Sequence, residues 1–442
     1  QNKKTGSGGS EKIIFSWVLV MIEYSVDDLK MQLGKEGARQ QAKLSYPVRY
    51  GRYSEIQTSE YIYQFNLEGE PKFLQGRNGN WPHPAEWLKR TLGNDWVYYF
   101  SGGYTNVYDC LGEYYVPCFP YPSNSLWTRD PFQDREVQKG LQALGTLRNR
   151  IAQVLEERSL SRELRAFLDQ VAAKGPSVLW AKSLRLFALL QGRVSVLPPD
   201  SRHVDYDILP LNIADGCLYN CGFCSVKSRQ GFEERSPDNI REQIAGLRRL
   251  IGRDIINYNA LFLGQHDALH CRPELIEEAA LSAYHGLRLS ASLLENRYLF
   301  LFGSVDSLLQ AEDSLWARLQ DLPYYVYINI GLESGYQPTL DAIRKPLDAS
   351  RVLEAYDRML EINANVSNIE ITANMLMDWD MHPKHWQCLQ EMVQDRPGRV
   401  LTKGAVYLSP LSRQKPKEQI RLFQGLKRRS RIPVYLYLLQ RL

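Results

Sequence analysis

Aromatic and apolar positions alternate with turn residues in the first third of the chain and then change to helical spacing. Between residues 46 and 127, short aromatic runs such as 61–65 and 96–100 are separated by Gly, Pro and Asn, which is typical of strands joined by turns. Leucines recur at helical spacing over residues 134–191, so consecutive helices are predicted there. The pattern therefore predicts an aromatic-rich α+β domain over residues 21–195.

A different alternation follows the proline-containing segment 194–202. Six apolar runs that favour strands are separated by stretches of helical period, which predicts right-handed βαβ units around a parallel sheet. Six units are too few for a closed barrel of about eight. The expected fold class is α/β, with an open, partial (β/α)6 barrel over residues 203–411 and ligands at the carboxyl ends of its strands. The six runs are 207–213, 260–264, 298–302, 325–330, 368–372 and 400–408.

The two ends of the chain are interpreted differently. Residues 1–20 are linker-like or introduced by cloning, because the first of them are polar and rich in Gly and Ser. The apolar run at 13–22 is shorter than the roughly 20 residues that cross a bilayer, so no membrane partner is expected. Residues 412–442 form a basic carboxyl-terminal extension, which is either a solvated helix face or a contact for an anionic partner.

Composition indicates a globular chain in a reducing compartment. The 442 residues are 44% hydrophobic, enough for a large core, and the net charge of +4 is too small to argue for a nucleic-acid partner. The seven cysteines lack the even pairing of a secreted disulfide framework, so a cytoplasmic location is expected. Cys271 and Cys388 are interpreted as small buried hydrophobes. Cys110 and Cys118 are interpreted in the same way, with a redox pair or a second metal site as the alternative.

Three cysteines form a compact motif directly after the first predicted strand. Cys217, Cys221 and Cys224 are spaced Cys-x3-Cys-x2-Cys, and three thiolates from one loop can hold a cuboidal iron–sulfur cluster while leaving one iron without a protein ligand. A structural zinc site is the first alternative, but zinc normally takes four ligands and the nearest histidine, His203, precedes the strand. The second alternative, three unrelated buried cysteines, does not explain why all three follow a strand.

This cysteine motif resembles that of the radical S-adenosylmethionine (SAM) superfamily. The resemblance implies a four-iron four-sulfur cluster on Cys217, Cys221 and Cys224, with the amine and carboxylate of SAM on the open iron. It also implies reductive cleavage of SAM to a 5′-deoxyadenosyl radical, which abstracts hydrogen from a substrate that the sequence does not identify. A reductant such as flavodoxin or ferredoxin is the implied partner, and the cofactor carries the difficult chemistry.

A second motif lies at the end of a later predicted strand. The run 331–335 reads Gly-Leu-Glu-Ser-Gly and is similar to the Gly-x-Glu-Ser-Gly motif of a superfamily subgroup. That subgroup contains methylthiotransferases, oxygen-independent coproporphyrinogen oxidase-like proteins and the Elongator catalytic subunit. The resemblance implies that Glu333 and Ser334 bind the cofactor, with a surface carboxylate as the alternative for Glu333. Arg344 and Lys345 fall where the subgroup carries a basic residue near the cofactor carboxylate, although a solvated helix charge would explain them too.

Further cofactor contacts are expected at strand ends and in the cysteine loop. Gly264 lacks a side chain, so backbone carbonyls can approach the methionine ammonium; Asp267 either strengthens that contact or caps the next helix. His266 and His270 are candidate proton donors or substrate contacts, with a structural role as the alternative, and His382 and His385 are interpreted as structural. The complete set of expected cofactor-binding residues is Phe223, Gly264, Gln265, Asp267, Glu333, Ser334, Arg344 and Asn374.

The sequence thus predicts a radical SAM enzyme that acts on an unidentified substrate. An RNA-modifying radical SAM enzyme is one alternative, suggested by the subgroup and by the basic residues 412–442. A non-catalytic metal-binding protein is the other. Sulfur insertion is disfavoured because no second set of three clustered cysteines is found, and cobalamin-dependent methyl transfer because no cobalamin-binding domain is recognised.

Overall fold

The structure of the protein is a computed structural model. It describes residues 22–40, 49–100, 114–117, 121, 124, 130–219, 221–224, 226 and 231–442. The predicted linker over residues 1–20 and the cysteines Cys110 and Cys118 lie outside the described residues. Among the described helices, none combines the length and the apolarity that crossing a membrane requires.

The amino-terminal part contains an antiparallel sheet of eight strands that pair in sequence order. Its inward side chains include Tyr63, Phe65 and Leu74, which pack against Leu147 and Ile151 of the helices that follow. The aromatic runs therefore form one face of a buried layer, as period-two strands do. The strands are β1 (Ile22–Val26), β2 (Leu29–Glu36), β3 (Arg52–Gln57), β4 (Tyr61–Phe65), β5 (Pro71–Gly76), β6 (Trp87–Arg90), β7 (Trp96–Phe100) and β8 (Tyr114–Pro117).

Three helices follow this sheet. Asp134 and Ser161 cap the first two, because their side chains accept hydrogen bonds from the backbone N–H groups of Glu136 and Leu164. Pro176 at the first position begins the third. The helices are α1 (Arg135–Glu157), α2 (Arg162–Ala173) and α3 (Pro176–Leu190).

The second part is built on a parallel sheet whose strands also lie side by side in sequence order. At least one helix separates each strand from the next, so the mixed α/β class with a parallel sheet is confirmed. The strands are β9 (Leu209–Pro210), β12 (Ala260–Phe262), β13 (Tyr298–Gly303), β14 (Tyr325–Glu333), β15 (Ile369–Met377), β16 (Val406–Pro410) and β17 (Val434–Leu436), and a small antiparallel pair, β10 (Ala214–Asp215) with β11 (Glu233–Glu234), flanks the cysteine loop.

The parallel sheet contains the six strands predicted within residues 203–411 and a seventh that was not predicted. The seventh strand, β17, pairs in parallel with β16, and it lies within residues that the sequence assigned to a carboxyl-terminal extension. Only three residues long, it follows a strongly basic helix, and this charge obscured its apolar signal. The remaining helices are α4 (Pro237–Ile251), α5 (Pro273–Gly286), α6 (Val305–Gln310), α7 (Asp313–Asp321), α8 (Gln337–Ala342), α9 (Ala349–Asn365), α10 (Pro383–Gln394) and α11 (Pro416–Arg429).

The antiparallel sheet contacts the amino-terminal ends of the parallel strands β9 and β12. Lys89 forms ion pairs with Asp205 and Asp207, which precede β9, and Lys72 pairs with the same Asp207 at 3.0 Å. Asp254, which precedes β12, accepts a hydrogen bond from the backbone of the antiparallel part. The carboxyl ends of the parallel strands face away from these contacts. The expected domain boundary at residues 195–203 remains a prediction.

Candidate active site

A cavity of about 440 Å³ opens at the carboxyl ends of the parallel strands. Each of the strands β13 to β16 contributes its last residues or those that follow, and the cysteine loop contributes a further part of the lining. This is the position that the sheet topology predicts for a ligand. The strand-end residues in its lining are Phe302, Gly303, Ser304, Gly331, Glu333, Asn374, Leu376, Ser409, Pro410 and Leu411.

The three cysteines of the motif all line this cavity. Their loop is held from two sides. The backbone N–H of Gly222 donates to the carbonyl oxygen of Ile343 at 2.8 Å. The hydroxyl of Tyr219 donates to Asp306 Oδ2 at 2.6 Å and accepts from the backbone N–H of Asp306. A Cβ added at Gly222 would lie 2.9 Å from that same Ile343 oxygen, so the close approach requires glycine.

The donor set fits an iron–sulfur cluster better than zinc. Three thiols share one cavity, and no fourth cysteine lines it among the described residues. His203, the nearest candidate for a fourth zinc ligand, stacks instead on Tyr327, with ring centroids 4.8 Å apart. Within the described part of the chain, no three His, Cys, Asp or Glu side chains are arranged closely enough to hold a single metal ion. The fit therefore rests on the chemistry of the thiols and on the space that they share.

Burial and charge act in opposite directions on these thiols. Burial raises the pKa of Cys217 to about 11, whereas the nearby Lys345 ammonium lowers it. The pKa of Cys221 is also raised by burial and is opposed by the same ammonium group. Lys345 is thus the positive charge that favours thiolates in this cavity.

Glu333 and Lys345 form a buried pair in the cavity wall. Glu333 is only 8% exposed, so the alternative of a surface carboxylate is wrong. Lys345 Nζ lies 3.4 Å from Glu333 Oε1 and donates to the carbonyl oxygen of Gly331 at 2.6 Å. Burial raises the pKa of Glu333 while Lys345 opposes the shift. The backbone of Glu333 is left-handed, with φ of +67°, a strained conformation of the kind that clusters at functional sites.

The adjacent residues Arg344 and Lys345 differ in their exposure to solvent. Arg344 is exposed and is absent from the cavity lining, whereas its neighbour Lys345 is buried and lines the cavity. Arg344 adopts a left-handed backbone with φ of +54°. The expectation that Arg344 faces the cofactor is therefore not met by the geometry, and Lys345 occupies that place.

Ser334 does not line the cavity. Its hydroxyl is fully buried and pairs with His385 Nδ1 at 2.9 Å, and His385 Nε2 lies 3.1 Å from the carbonyl oxygen of Leu376. Burial lowers the pKa of His385 to about 4, so its ring is neutral. Ser334 and His385 thereby tie the end of β14 to the end of β15. His382 also has a structural role, because its Nδ1 accepts from the backbone N–H of Lys384 at the start of α10.

Some of the residues that follow β12 line the cavity, and others only pack behind it. Gln265 and Asp267 line the cavity, and so does His266, whose pKa burial lowers. Gln265 Oε1 accepts from both the backbone N–H and the hydroxyl of Ser195. His270 does not line the cavity and packs edge-on against Phe232, with centroids 4.7 Å apart.

Asp267 does not cap the helix that follows it. Its carboxylate accepts from the backbone N–H of Ser304 at 3.1 Å and from the hydroxyl of Ser307 at 2.6 Å, and it thus holds the start of α6. Burial raises its pKa. Gly264 also lies outside the lining. Its φ of +100° and a Cβ position 2.8 Å from Asn212 Oδ1 explain why glycine is required there.

Two of the remaining predicted contacts, Phe223 and Asn374, line the cavity. The sequence analysis did not predict that the segment after β17 contributes to the cavity. Tyr437 and Leu439 line the cavity together with Val196. The Tyr437 hydroxyl donates to the carbonyl oxygen of Leu197 at 2.6 Å, and the backbone N–H of Leu197 donates to Gln440. The one available signal was the apolar run 434–439 after a helix, which continues the βαβ alternation.

Comparisons with known proteins were made on the sequence and on the structure. Residues 211–377 match the family model described as the radical SAM superfamily. No curated protein matches the sequence closely enough to count as a relative. Enzymes of this superfamily use a four-iron four-sulfur cluster and SAM.

Solved structures overlap only loosely. The cobalamin-dependent S-adenosylmethionine radical enzyme OxsB, with aqua-cobalamin and S-adenosylmethionine bound, has a TM-score of 0.31 and 16% identity, over 51% of this chain and 30% of OxsB. Methylornithine synthase (PylB) has a TM-score of 0.32 and 12% identity, over 65% of this chain and 85% of PylB. The chain thus spans less than a third of OxsB, and overlaps at these TM-scores do not support a shared function. Residues 211–377, the part of the chain that matches the radical SAM superfamily model, contain the three cysteines, Glu333 and Asn374.

Proposed function

We propose that the protein is a radical SAM enzyme whose reaction takes place in the cavity at the carboxyl ends of the parallel strands. The observation that carries this proposal is the convergence of three cysteine thiols and the buried Glu333–Lys345 pair on one cavity of about 440 Å³. The matched family model covers all five of these residues. No other arrangement of chemistry-bearing residues in the described chain offers thiols, charge and space together.

Each residue has a separate role in this proposal. Cys217, Cys221 and Cys224 hold the cluster, which when bound supplies the electron that cleaves the sulfonium of SAM. The carboxylate of Glu333 accepts hydrogen bonds from the ribose hydroxyls or the amine of SAM, because a carboxylate can accept two at once. Lys345 neutralises part of the negative charge that thiolates and Glu333 bring to a poorly solvated cavity.

Exclusion of water is the task of the apolar part of the lining. Phe302, Leu376, Tyr437 and Leu439 belong to this apolar part of the lining. A dry wall protects a reactive radical from side reactions. We assign the substrate to the apolar part of the cavity and leave its identity open.

Two finer assignments belong to the same proposal. The run 331–335 supports membership of the Gly-x-Glu-Ser-Gly subgroup, and the seven-stranded parallel sheet, with β9 and β17 at its two edges, is interpreted as an open, partial barrel. A one-electron donor such as flavodoxin or ferredoxin is the proposed partner, in a reducing cytoplasm.

Anaerobic reconstitution tests the proposal. The wild-type chain should bind iron and sulfide, show cluster absorption that changes on addition of SAM, and form 5′-deoxyadenosine with a strong reductant. Cys221→Ala should abolish the cluster absorption and the product. Cys271→Ala is the matched control, because Cys271 is equally buried but does not line the cavity. Product formation that survives in Cys221→Ala would refute the assignment, and iron binding without any response to SAM would favour a non-catalytic metal protein.

An RNA substrate has one observation in its favour. The basic helix α11, with exposed Lys417, Arg421, Arg428 and Arg429, begins a few residues after Leu411 of the cavity wall. A backbone contact of this kind gives an affinity that falls steeply with salt. RNA binding that is independent of salt, or unchanged when these four residues are neutralised, would remove this alternative.

A further inference from the structure

A row of buried polar side chains runs from the cavity wall into the interior. Asn374 lines the cavity, and its Nδ2 donates to Asn329 Oδ1 at 2.5 Å. Asn329 Nδ2 donates in turn to Thr372 Oγ1 at 2.9 Å, and Thr372 Oγ1 donates to Asp200 Oδ2 at 2.6 Å. Asn329, Thr372 and Asp200 are almost fully buried. None of these three lines the cavity, so the row links Asn374 to a carboxylate that no ligand in the cavity touches.

The direction of these hydrogen bonds is set at the far end of the row. Arg202 can only donate, and its Nε donates to the hydroxyl oxygen of Tyr407 at 3.0 Å. The Tyr407 hydroxyl hydrogen is therefore given to Asp200 Oδ1, at 2.7 Å. Asp200 thus accepts two hydroxyl donors, one on each oxygen. Burial raises the pKa of this carboxyl, whereas the hydroxyls of Thr372 and Tyr407 and the charge of Arg202 oppose the shift and favour the ionised form, which can only accept.

Each later step follows from the first. Because Thr372 gives its hydrogen to Asp200, its oxygen accepts, and the amide nitrogen of Asn329 must face it. The oxygen of Asn329 then accepts from Asn374 Nδ2, and Asn329 Nδ2 also donates to Asn374 Oδ1 at 3.4 Å, so Asn329 places both polar atoms of the Asn374 amide. A side-chain amide is nearly symmetric in shape, so its orientation is decided by hydrogen-bond partners rather than by packing.

We propose that Asp200 is a positioning residue for Asn374. It fixes, through Thr372 and Asn329, which way the Asn374 amide faces, and so decides which polar groups of a bound ligand this wall of the cavity accepts. Such supporting contacts hold a binding group in its productive geometry. The inference rests on the proposed function in one respect, because the ligand used to test it is SAM.

The test compares SAM affinities of the reconstituted full chain by anaerobic calorimetry. Asp200→Asn keeps the shape but introduces a donor, and Thr372→Val keeps the shape but breaks the row. Each should weaken SAM binding about three- to tenfold, the equivalent of about one hydrogen bond. Asn374→Ala should have a similar effect. The double variant Asp200→Asn/Asn374→Ala should bind no more weakly than Asn374→Ala alone, within about twofold, because Asp200 acts only through Asn374.

Asp254→Asn is the matched control. Asp254 is as buried as Asp200 and also accepts several hydrogen bonds, but it lies at the opposite, amino-terminal ends of the strands. Its replacement should lower stability and leave SAM affinity unchanged. A general loss of structure would lower affinity in all buried variants, including this control.

Two results would overturn the inference. The effects of Asp200→Asn and Asn374→Ala would multiply in the double variant if Asp200 acted elsewhere, and unaltered affinity in Asp200→Asn and Thr372→Val would show that the row has no influence. If the wild-type chain binds iron but no SAM, the proposed function fails separately. The inference is then decided by the side-chain amide NMR signals of Asn374, which must shift in Asp200→Asn and Thr372→Val but not in Asp254→Asn.

Discussion

The pKa values of titratable residues in this protein depend on burial as much as on residue type. Glu333 and His385 are both titratable, both nearly removed from water and both close to the ends of β14 and β15. Burial raises the pKa of Glu333 and lowers that of His385, because in each case the charged form is the one that loses solvation. Glu333 has Lys345 as a compensating charge, whereas His385 has only neutral hydrogen-bond partners.

The neutral state of His385 predicts a pH-dependent stability. With a pKa of about 4 in the folded chain and about 6.5 in the unfolded chain, the unfolded state binds more protons between these values. Stability is therefore complete above about pH 6.5 and falls as the pH is lowered toward 4, by on the order of 3 kcal/mol.

Urea unfolding of the wild type and of His385→Gln at pH 7 and pH 5 measures this contribution. The wild type should lose more stability than the variant between the two pH values, because only the wild type carries the buried imidazole. Equal losses in both proteins would show that folding does not lower the pKa of His385.

At the scale of elements, the cysteine loop depends on two neighbours more than on its own conformation. The hydroxyl of Tyr219 bonds to Asp306 at the start of α6, and Gly222 bonds to the segment after α8. These anchors come from two different βα units. A loop that is fixed on both sides presents its side chains with little entropy left to lose on binding.

Gly222→Ala should therefore impair cluster retention. The added methyl group would lie 2.9 Å from the carbonyl oxygen of Ile343, which belongs to the backbone and cannot move alone. We expect less iron per chain after reconstitution and faster loss of iron to a chelator, with unchanged far-UV circular dichroism. Gly231→Ala is the control, because Gly231 follows the loop and has open space around its Cβ position. Equal iron retention in both variants would contradict the anchoring role.

Helices and strands were predicted correctly from the sequence where the spacing of apolar residues identifies the type of element. Parallel strands separated by helices were recognised because the period changes between two and 3.6 residues. The strand β17 was missed because three residues are too few for a period. The choice between Arg344 and Lys345 could not be made either, since the residue types do not predict the left-handed backbone at Arg344.

Over the whole molecule, the described antiparallel sheet and the cavity lie at opposite ends of the parallel strands. The contact between the two parts is charged and buried, with Lys72 and Lys89 facing Asp205 and Asp207. Sequence alone could not pair these residues, because more than a hundred positions separate them. Tyr121, from the amino-terminal part, is one of the residues that line the cavity.

Lys89→Met tests what this contact contributes. Removing one member of a buried ion pair leaves uncompensated charge and costs roughly 3 to 5 kcal/mol. We expect a loss of this size in chemical unfolding, with SAM affinity of the folded variant unchanged because the pair lies away from the cavity. Lys139→Met, which removes an exposed pair with Glu136, should cost about 0.5 kcal/mol or less. A loss of SAM affinity in folded Lys89→Met would show that the two ends of the strands are coupled.

The cavity wall that holds Tyr437 and Leu439 has a consequence for the order of events during synthesis. The three cysteines leave the ribosome long before Tyr437 and Leu439 do. Until then the cavity lacks part of its lining, and water can reach the thiols. The lining of the cavity is completed when β17 pairs with β16 and brings Tyr437 and Leu439 into place. We therefore expect the three thiols to be shielded from water only after β17 has docked, and a chain truncated before residue 434 to leave them more exposed.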